Sequence, residues 1–396
     1  MSSATVSEVV ARKRKAYEKA SKREKGRMLD ELVELTDYHR KSLLRAFRRG
    51  RHRQGKRRSP PGRPRRYEVV RPVLRKVWAA GFFACGKRLR PFLPELVRLL
   101  KAAGELTVTA RQEELLLSVS AATIDRLLSK ERAQLQLRGK KTTKPGTLLR
   151  TSIPVRMFDQ WDEQEAGFFE VDLVAHCGSS TKGEYLYTLD MTDVHTGWTV
   201  LAAMKGRGQR GAHAAVEKLR RTLPFELRGL DSDNDSVFIN AHISRYCKEH
   251  CITFTRCRPY KKNDQCHVEQ KNWSVVRQFV GYARLETDEQ LALLERVYEL
   301  VNRYHNFYWP MMQLVGKQRN GSKVTKRYDQ AKTPYQRLLG CDGLLGQQQR
   351  EQLQRDYDDP THNPARLLRN INALLDRLSK TVPCSPIEML PLERFR

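Results

Sequence analysis

The sequence predicts an α/β protein in which helical domains precede a mixed five-stranded sheet flanked by helices. Three observations predict it. Apolar residues keep helical spacing through the first third of the chain. The spacing then switches to strand alternation, and strands and helices follow one another in turn. The third observation is charge. The chain has 396 residues with 74 Lys plus Arg against 45 Asp plus Glu, a net charge of +29. That excess argues against a neutral enzyme of small metabolites and points to a polyanion, nucleic acid before an anionic membrane. No stretch approaches the roughly 18 to 20 apolar residues that span a bilayer. The first 26 residues lack the apolar run of a signal peptide. The expected setting is cytoplasmic, at the nucleoid, with no membrane partner. The eight cysteines are scattered, and Cys247, Cys251, Cys257 and Cys266 have spacings that fit no common zinc module, so reduced thiols are expected.

The length implies several domains. An N-terminal domain, 1–50, holds two short helices. Met28, Leu29, Leu32 and Val33 mark the first. Leu43, Leu44 and Phe47 mark the second, with Thr36 or Asp37 as its cap. The second also carries Arg40, Lys41 and Arg45, so the pair reads as a helix-turn-helix with a DNA-facing basic helix. A plain helical hairpin has the same spacing. Residues 51–66 form a basic linker; the run 48–66 holds ten Lys and Arg and no acid. Arg63 and Arg65, in a Gly-Arg-Pro-Arg piece, suit a narrow minor groove. Residues 67–138 read as a second helical DNA-binding domain, ending in a cleaner helix-turn-helix with Ser120 as an N-cap. A basic linker, 139–163, follows.

The sheet comes next. Strands are expected at 168–174, 185–191 and 198–204, with a turn near Thr196 and Gly197 between the last two. Helix 212–221, strand 227–230, helix 237–250, strand 252–255, helix 265–280 and helix 291–304 complete a core spanning 164–306. In the helix 265–280, Val268, Val275, Val276 and Phe279 form the packing face. The remainder, 307–396, opens with a small β-rich piece near 310–345. Helices at 350–357 and 364–380 follow.

Three carboxylates stand out by position. Asp172 lies within the first core strand, Asp233 just past the fourth, and Glu269 in the first turn of the helix that follows, with 35 residues between the last two. In a sheet of this order the first and fourth strands are neighbours, and the helix can cross their carboxyl ends. Three converging acids repel unless cations fill the gap. Hard oxygen ligands suit two Mg²⁺ or Mn²⁺ ions, which catalyse phosphodiester displacement. Glu170 shares a strand face with Asp172 but has less apolar flanks. Asp231 and Asp235 flank Asp233.

Asp233-Asn234-Asp235-Ser236-Val237-Phe238, then Arg258-Pro259-Tyr260-Lys261-Lys262-Asn263, then His267-Val268-Glu269-Gln270-Lys271-Asn272-Trp273, resemble the integrase core of bacterial insertion-sequence transposases. These are relatives of the retroviral integrases. The resemblance is strong over 165–305 and weaker over the helix-turn-helix units, which stand where retroviral integrases carry a His/Cys zinc domain. Gly321-Ser322-Lys323-Val324-Thr325-Lys326-Arg327-Tyr328-Asp329 and Thr333-Pro334-Tyr335 share it. It implies a ribonuclease-H-like fold, with Asp172, Asp233 and Glu269 as a catalytic DDE metal triad.

Two positions depart from the family pattern. Asp235 replaces the usual Gly, where Asp still tolerates a left-handed turn, and Val237 replaces the usual acid. Arg258, Lys261, Lys262, Lys271 and Arg277 are expected to contact the DNA backbone, with Trp273 in the core. The implied activity is DNA transposition: binding of terminal inverted repeats, Mg²⁺-dependent cleavage, then strand transfer into double-stranded target DNA, by a homodimer or larger synaptic complex. A metal-dependent nuclease or resolvase on the same fold is the alternative, as is a non-catalytic DNA-binding relative.

Overall fold

A computed structural model of the chain describes residues 3–51, 66–133, 155–156, 165–233, 235–257, 266–320 and 323–382. It divides into two units, 1–66 and 67–396.

The first unit has three helices: α1 (Ser3–Lys19), α2 (Lys22–Thr36) and α3 (Arg40–Arg51). Only α2 and α3 were expected. The additional α1 forms because Val6, Val9 and Val10 recur at helical spacing; Val6 and Val10 are buried with Leu29, Leu32, Leu43 and Phe47. Tyr17 closes this core by stacking on Phe47 at 4.2 Å. Ser21 and Glu24 form a capping box that starts α2. Asp37 does not cap α3. It ends α2 in a left-handed conformation, φ 59°, with its N–H donating to the Val33 carbonyl.

The second unit opens with five helices: α4 (Arg71–Ala80), α5 (Gly86–Ala102), α6 (Ala110–Ser118), α7 (Ala121–Leu127) and α8 (Ser129–Ala133). Ser120 caps α7 as expected, accepting from the N–H of Thr123. At Gly86 the chains approach so closely that a Cβ would stand 2.1 Å from the Ala121 carbonyl oxygen. The helices expected to form a domain at 67–138 pack, over their described part 67–133, within the second unit. Tyr304 donates to the Ala80 carbonyl at 2.7 Å. Phe82 stacks on Phe279 at 4.6 Å. Tyr357 reaches Glu95 at 3.0 Å. These contacts bury the helices against the sheet domain and its C-terminal helices in one shared core.

The sheet contains β1 (Val155–Arg156), β2 (Phe168–Ala175), β3 (Leu186–Asp193), β4 (Thr199–Lys205), β5 (Gly229–Ser232) and β6 (Thr253–Cys257). Its order is β1-β6-β5-β2-β3-β4. Five of these are the expected strands, and two-residue β1 extends one edge. β2–β3 and β3–β4 pair antiparallel; β2–β5, β5–β6 and β1–β6 pair parallel. The turn at Gly197 is held by Asp193, whose carboxylate accepts from the N–H and hydroxyl of Thr196 at 2.7 and 2.6 Å.

Around the sheet lie α9 (Gln209–Arg220), α10 (Ala241–Glu249), α11 (Cys266–Lys271), a π-helical turn (Asn272–Arg277), α12 (Gln278–Val280) and α13 (Asp288–Tyr308). Helix α13 covers the open edge of β4. Asn302 and Asn306, one turn apart, accept from the N–H groups of Leu201 and Thr199, each at 2.9 Å. Their amides donate back to the same residues' carbonyls. An edge that would otherwise present unpaired backbone is thereby closed.

The chain continues through an antiparallel hairpin, β7 (Leu314–Asn320) and β8 (Lys323–Tyr328), then α14 (Pro334–Leu339), α15 (Gln347–Asp358) and α16 (Pro364–Lys380). Leu367, Leu368, Ile371, Leu374, Leu375 and Leu378 of α16 are buried, as their spacing predicts.

Candidate active site

Alternation along β2 sends Phe169 and Val171 to one face and Glu170 and Asp172 to the other. On that second face lie Asp190 and Thr192 of β3 and Asp231 of β5. The register pairs Glu170 with Thr192 and Asp231, and Asp172 with Asp190. Val171 pairs with Ser232 across the parallel β2–β5 ladder. The next residues in line are Asp172, in the middle of β2, and Asp233, one residue past the end of β5.

The Asp172 carboxylate accepts from Asn272 Nδ2 at 2.6 Å and from its neighbour's N–H, Leu173, at 2.7 Å. Burial and then the charge of Asp233 raise its pKa to about 7, against the two hydrogen bonds; Glu269 adds to the rise. Burial raises Asp233 to about 6, opposed by the positive charge of Arg207. Two carboxyls that disfavour ionisation beside one another mark a place for positive charge.

Glu269 lies in the first turn of α11, as expected. Glu170, fully buried, sets that helix: its Oε2 accepts from the N–H of Val268 at 2.7 Å. Burial pushes the Glu170 pKa well above the usual carboxylate range, against this hydrogen bond, and its oxygen satisfies an amide that the helix start leaves without a partner inside the helix. The Glu269 side chain itself is exposed. Among the described residues no three His, Cys, Asp or Glu side chains stand close enough together to hold a metal ion. The fold brings Asp172 and Asp233 together and leaves the Glu269 side chain in water, near enough for its charge to act on Asp172. Carboxylate oxygens from three separate elements are a donor set that suits a hard divalent cation.

Two expected DNA contacts are corrected. Lys271 is buried, with Nζ 2.8 Å from His305 Nε2 and 2.6 Å from Met311 Sδ. Burial lowers its pKa to about 7, against the attraction of Asp190. It supports the site from within and cannot follow a DNA backbone. Arg277 is half-buried, donating to the carbonyls of Gly281 and Ala175 at 3.1 and 2.8 Å, with its guanidinium over the Tyr282 ring. It joins the end of the π turn to β2. Trp273, expected in the core, is 51% exposed.

Asp235 has no left-handed backbone. Its side chain shapes the turn instead, accepting from the N–H of Val237 at 3.1 Å and pairing with Arg207. Val237 is buried in the core. Lys41 and Arg45 are exposed on α3, and Arg40 is held by Asp30. Arg63, Arg65, Arg258, Lys261 and Lys262 lie outside the described residues. Cys85, Cys177, Cys247, Cys251, Cys257 and Cys341 are free thiols.

Sequence reasoning missed Asn272 and Arg207. Asn272 had a signal, lying one turn after Glu269. Arg207 had none, because it lies in a loop that reaches the site only through the fold.

Residues 162–262 match the family model described as the integrase core domain, a span that includes Asp172 and Asp233. The chain is 38% identical over 346 residues to the uncharacterized protein y4rM of Sinorhizobium fredii (strain NBRC 101917 / NGR234), covering 86% of this chain and 97% of that protein. Among solved structures it is similar to the catalytic core domain of BIV integrase, at 17% identity and a TM-score of 0.31, covering 44% of this chain and 95% of that one. The chain belongs to the same family as y4rM, and its sheet domain carries a transposase/integrase-type core.

Proposed function

We propose that this protein is a DDE-type DNA transposase. It binds the terminal inverted repeats of an insertion sequence, cleaves a phosphodiester at each end, and joins the freed 3′-OH to target DNA. The reading is supported above all by one observation: two aspartates with raised pKa values stand on neighbouring parallel strands, Asp172 within β2 and Asp233 just past β5, and the charge of Glu269 reaches Asp172 from the following helix.

Asp172, Asp233 and Glu269 are the residues that would hold divalent ions. Bound there, two such ions would polarise the scissile phosphate and activate the attacking oxygen. Asn272 holds the Asp172 carboxylate in one orientation. Glu170 fixes the helix from which Glu269 projects, and Arg207 screens Asp233. In cleavage, the oxygen of water bonds to phosphorus and the 3′ oxygen leaves with a proton. In joining, that 3′ oxygen attacks a target phosphorus and displaces a second 3′ oxygen. One phosphodiester replaces another, so no nucleotide triphosphate is consumed.

The helix pairs α2–α3 and α6–α7 are assigned to end recognition, with Lys41 and Arg45 on the exposed face of α3. Arg40, Arg63, Arg65, Arg258, Lys261 and Lys262 are assigned to DNA contacts. Holding two ends together requires at least a homodimer.

The test is Glu269→Gln assayed with element-end DNA. Cleavage and joining should both fall at least about 10²-fold, a loss of several kcal/mol of transition-state stabilisation, while end binding stays near wild type. Undiminished cleavage would reject the triad. Pre-cleaved ends separate transposase from nuclease: joined product is expected, and its absence beside normal cleavage would favour a nuclease.

A further inference from the structure

The β7–β8 hairpin is uncovered. Every residue from Val324 to Tyr328 is exposed, so neither face of β8 is packed. A strand ordinarily hides at least one face, and a two-stranded ribbon by itself is marginal in water. Four of the eight large hydrophobic side chains exposed among the described residues lie on this ribbon: Leu314, Val315, Val324 and Tyr328. Residues 314–328 also include Lys317, Arg319, Lys323, Lys326 and Arg327, and no acid.

The foot of the ribbon is firmly held. Asp329 accepts from the N–H of Gln313 at 2.7 Å and pairs with Arg337, also at 2.7 Å. Arg337 donates further to Gln313 Oε1 and to the Met311 carbonyl, at 2.9 and 3.0 Å. Gln313 reaches the His195 carbonyl at 2.7 Å, in the turn between β3 and β4. Met311, in turn, touches Lys271 on the helix of Glu269. An exposed, cationic arm thus stands on a base continuous with the candidate active site.

We propose that the β7–β8 hairpin is a docking arm for double-stranded DNA. A two-stranded ribbon fits the major groove, about 12 Å wide. Arg319, Lys326 and Arg327 would meet phosphates, and the exposed aliphatic side chains would lie against the groove. The charge selects the occupant. A second copy of the ribbon would bring cations against cations, whereas duplex DNA neutralises all of them. This inference rests on the reading that the chain acts on duplex DNA.

The experiment uses the full chain and a fluorescein-labelled mixed-sequence duplex, with binding followed by fluorescence anisotropy from about 50 to about 200 mM salt. The variant carries Arg319→Ser, Lys326→Ser and Arg327→Ser, all at exposed positions. A control removes equal charge elsewhere, by Lys218→Ser, Arg221→Ser and Arg355→Ser.

The hairpin variant should bind at least tenfold more weakly and keep its melting temperature. Its slope of log affinity against log salt should be shallower by about 0.9 for each phosphate that it no longer neutralises. The control should keep the wild-type slope. An unchanged slope in the hairpin variant, or an equal loss in the control, would overturn the arm and leave the transposase reading standing. Sedimentation in which the hairpin variant loses self-association but keeps its DNA affinity would assign the ribbon to a second copy, and would also overturn it. Wild-type protein that fails to bind the duplex would remove both readings.

Discussion

Glu170 touches no reacting group in the proposed chemistry, yet it fixes the start of the helix that carries Glu269. Its buried Oε2 on the Val268 amide makes it a positioning residue. Glu170→Gln retains a carbonyl oxygen that can accept from that amide, so strand transfer should stay near wild type. Glu170→Leu removes the acceptor. It should lower activity by roughly 10- to 100-fold and raise the Mg²⁺ concentration needed for half-maximal rate, the usual scale for a lost orienting partner. A Leu variant that loses only thermal stability, with an unchanged Mg²⁺ requirement, would reduce Glu170 to a packing role.

The paired aspartates make a pH prediction. Burial, and then the charge of Asp233, push the Asp172 pKa up to about 7, against an ordinary aspartate value of 3.8. Between these values the native state holds a proton that the unfolded chain has released, so the contribution of Asp172 to stability falls as pH rises through that window. In metal-free buffer, Asp172→Asn should therefore melt above wild type at pH 8, by a margin that shrinks towards pH 4. Mg²⁺ should raise the melting temperature of wild type at pH 8 more than that of the variant, because metal binding needs the deprotonated carboxylate. Scanning fluorimetry over pH checks both, and a margin independent of pH would contradict the assignment.

At the scale of elements, strands and helices were legible where one periodicity held along the segment. The expected helix 265–280 shows the limit. Val268, Val275, Val276 and Phe279 are buried as their spacing implies. The π turn at Asn272–Arg277 was invisible, because an apolar pattern reports which face packs and not how many residues close each backbone turn. That turn brings Asn272 to Asp172 and leaves Trp273 outside. The contact between α5 and α7 was equally unreadable. Gly86 lies where a Cβ would meet the Ala121 carbonyl, and its own N–H donates to Asp125 at 2.8 Å. Gly86→Ala should cost about 1–3 kcal/mol, the usual scale for overpacking, measurable by urea unfolding. A neutral result would mean that α7 can move aside freely.

At the scale of the molecule, the two units have separate cores. Six buried hydrophobic residues hold α1 to α3, whereas a single large cluster joins α4 to α8, the sheet and the C-terminal helices. A unit as small as 1–66 is marginal by itself. Calorimetry of the full chain should resolve two transitions, the smaller at lower temperature, and duplex DNA should raise it if α3 contacts DNA. One cooperative transition would mean that the two units share stabilising contacts.

The sequence alone determined that this is a strongly basic α/β protein, which strands form its sheet, and that Asp172 lies within one strand, Asp233 just past another and Glu269 at the start of a helix. Charge, alternation and spacing are local properties, written in consecutive residues. Only the tertiary structure decided that Lys271 and Arg277 are internal, that Asn272 and Arg207 attend the carboxylates, and that residues 67–133 share a core with the sheet. Each of those outcomes depends on which distant surface a side chain meets, and burial changes the role of a charge without changing the residue that carries it.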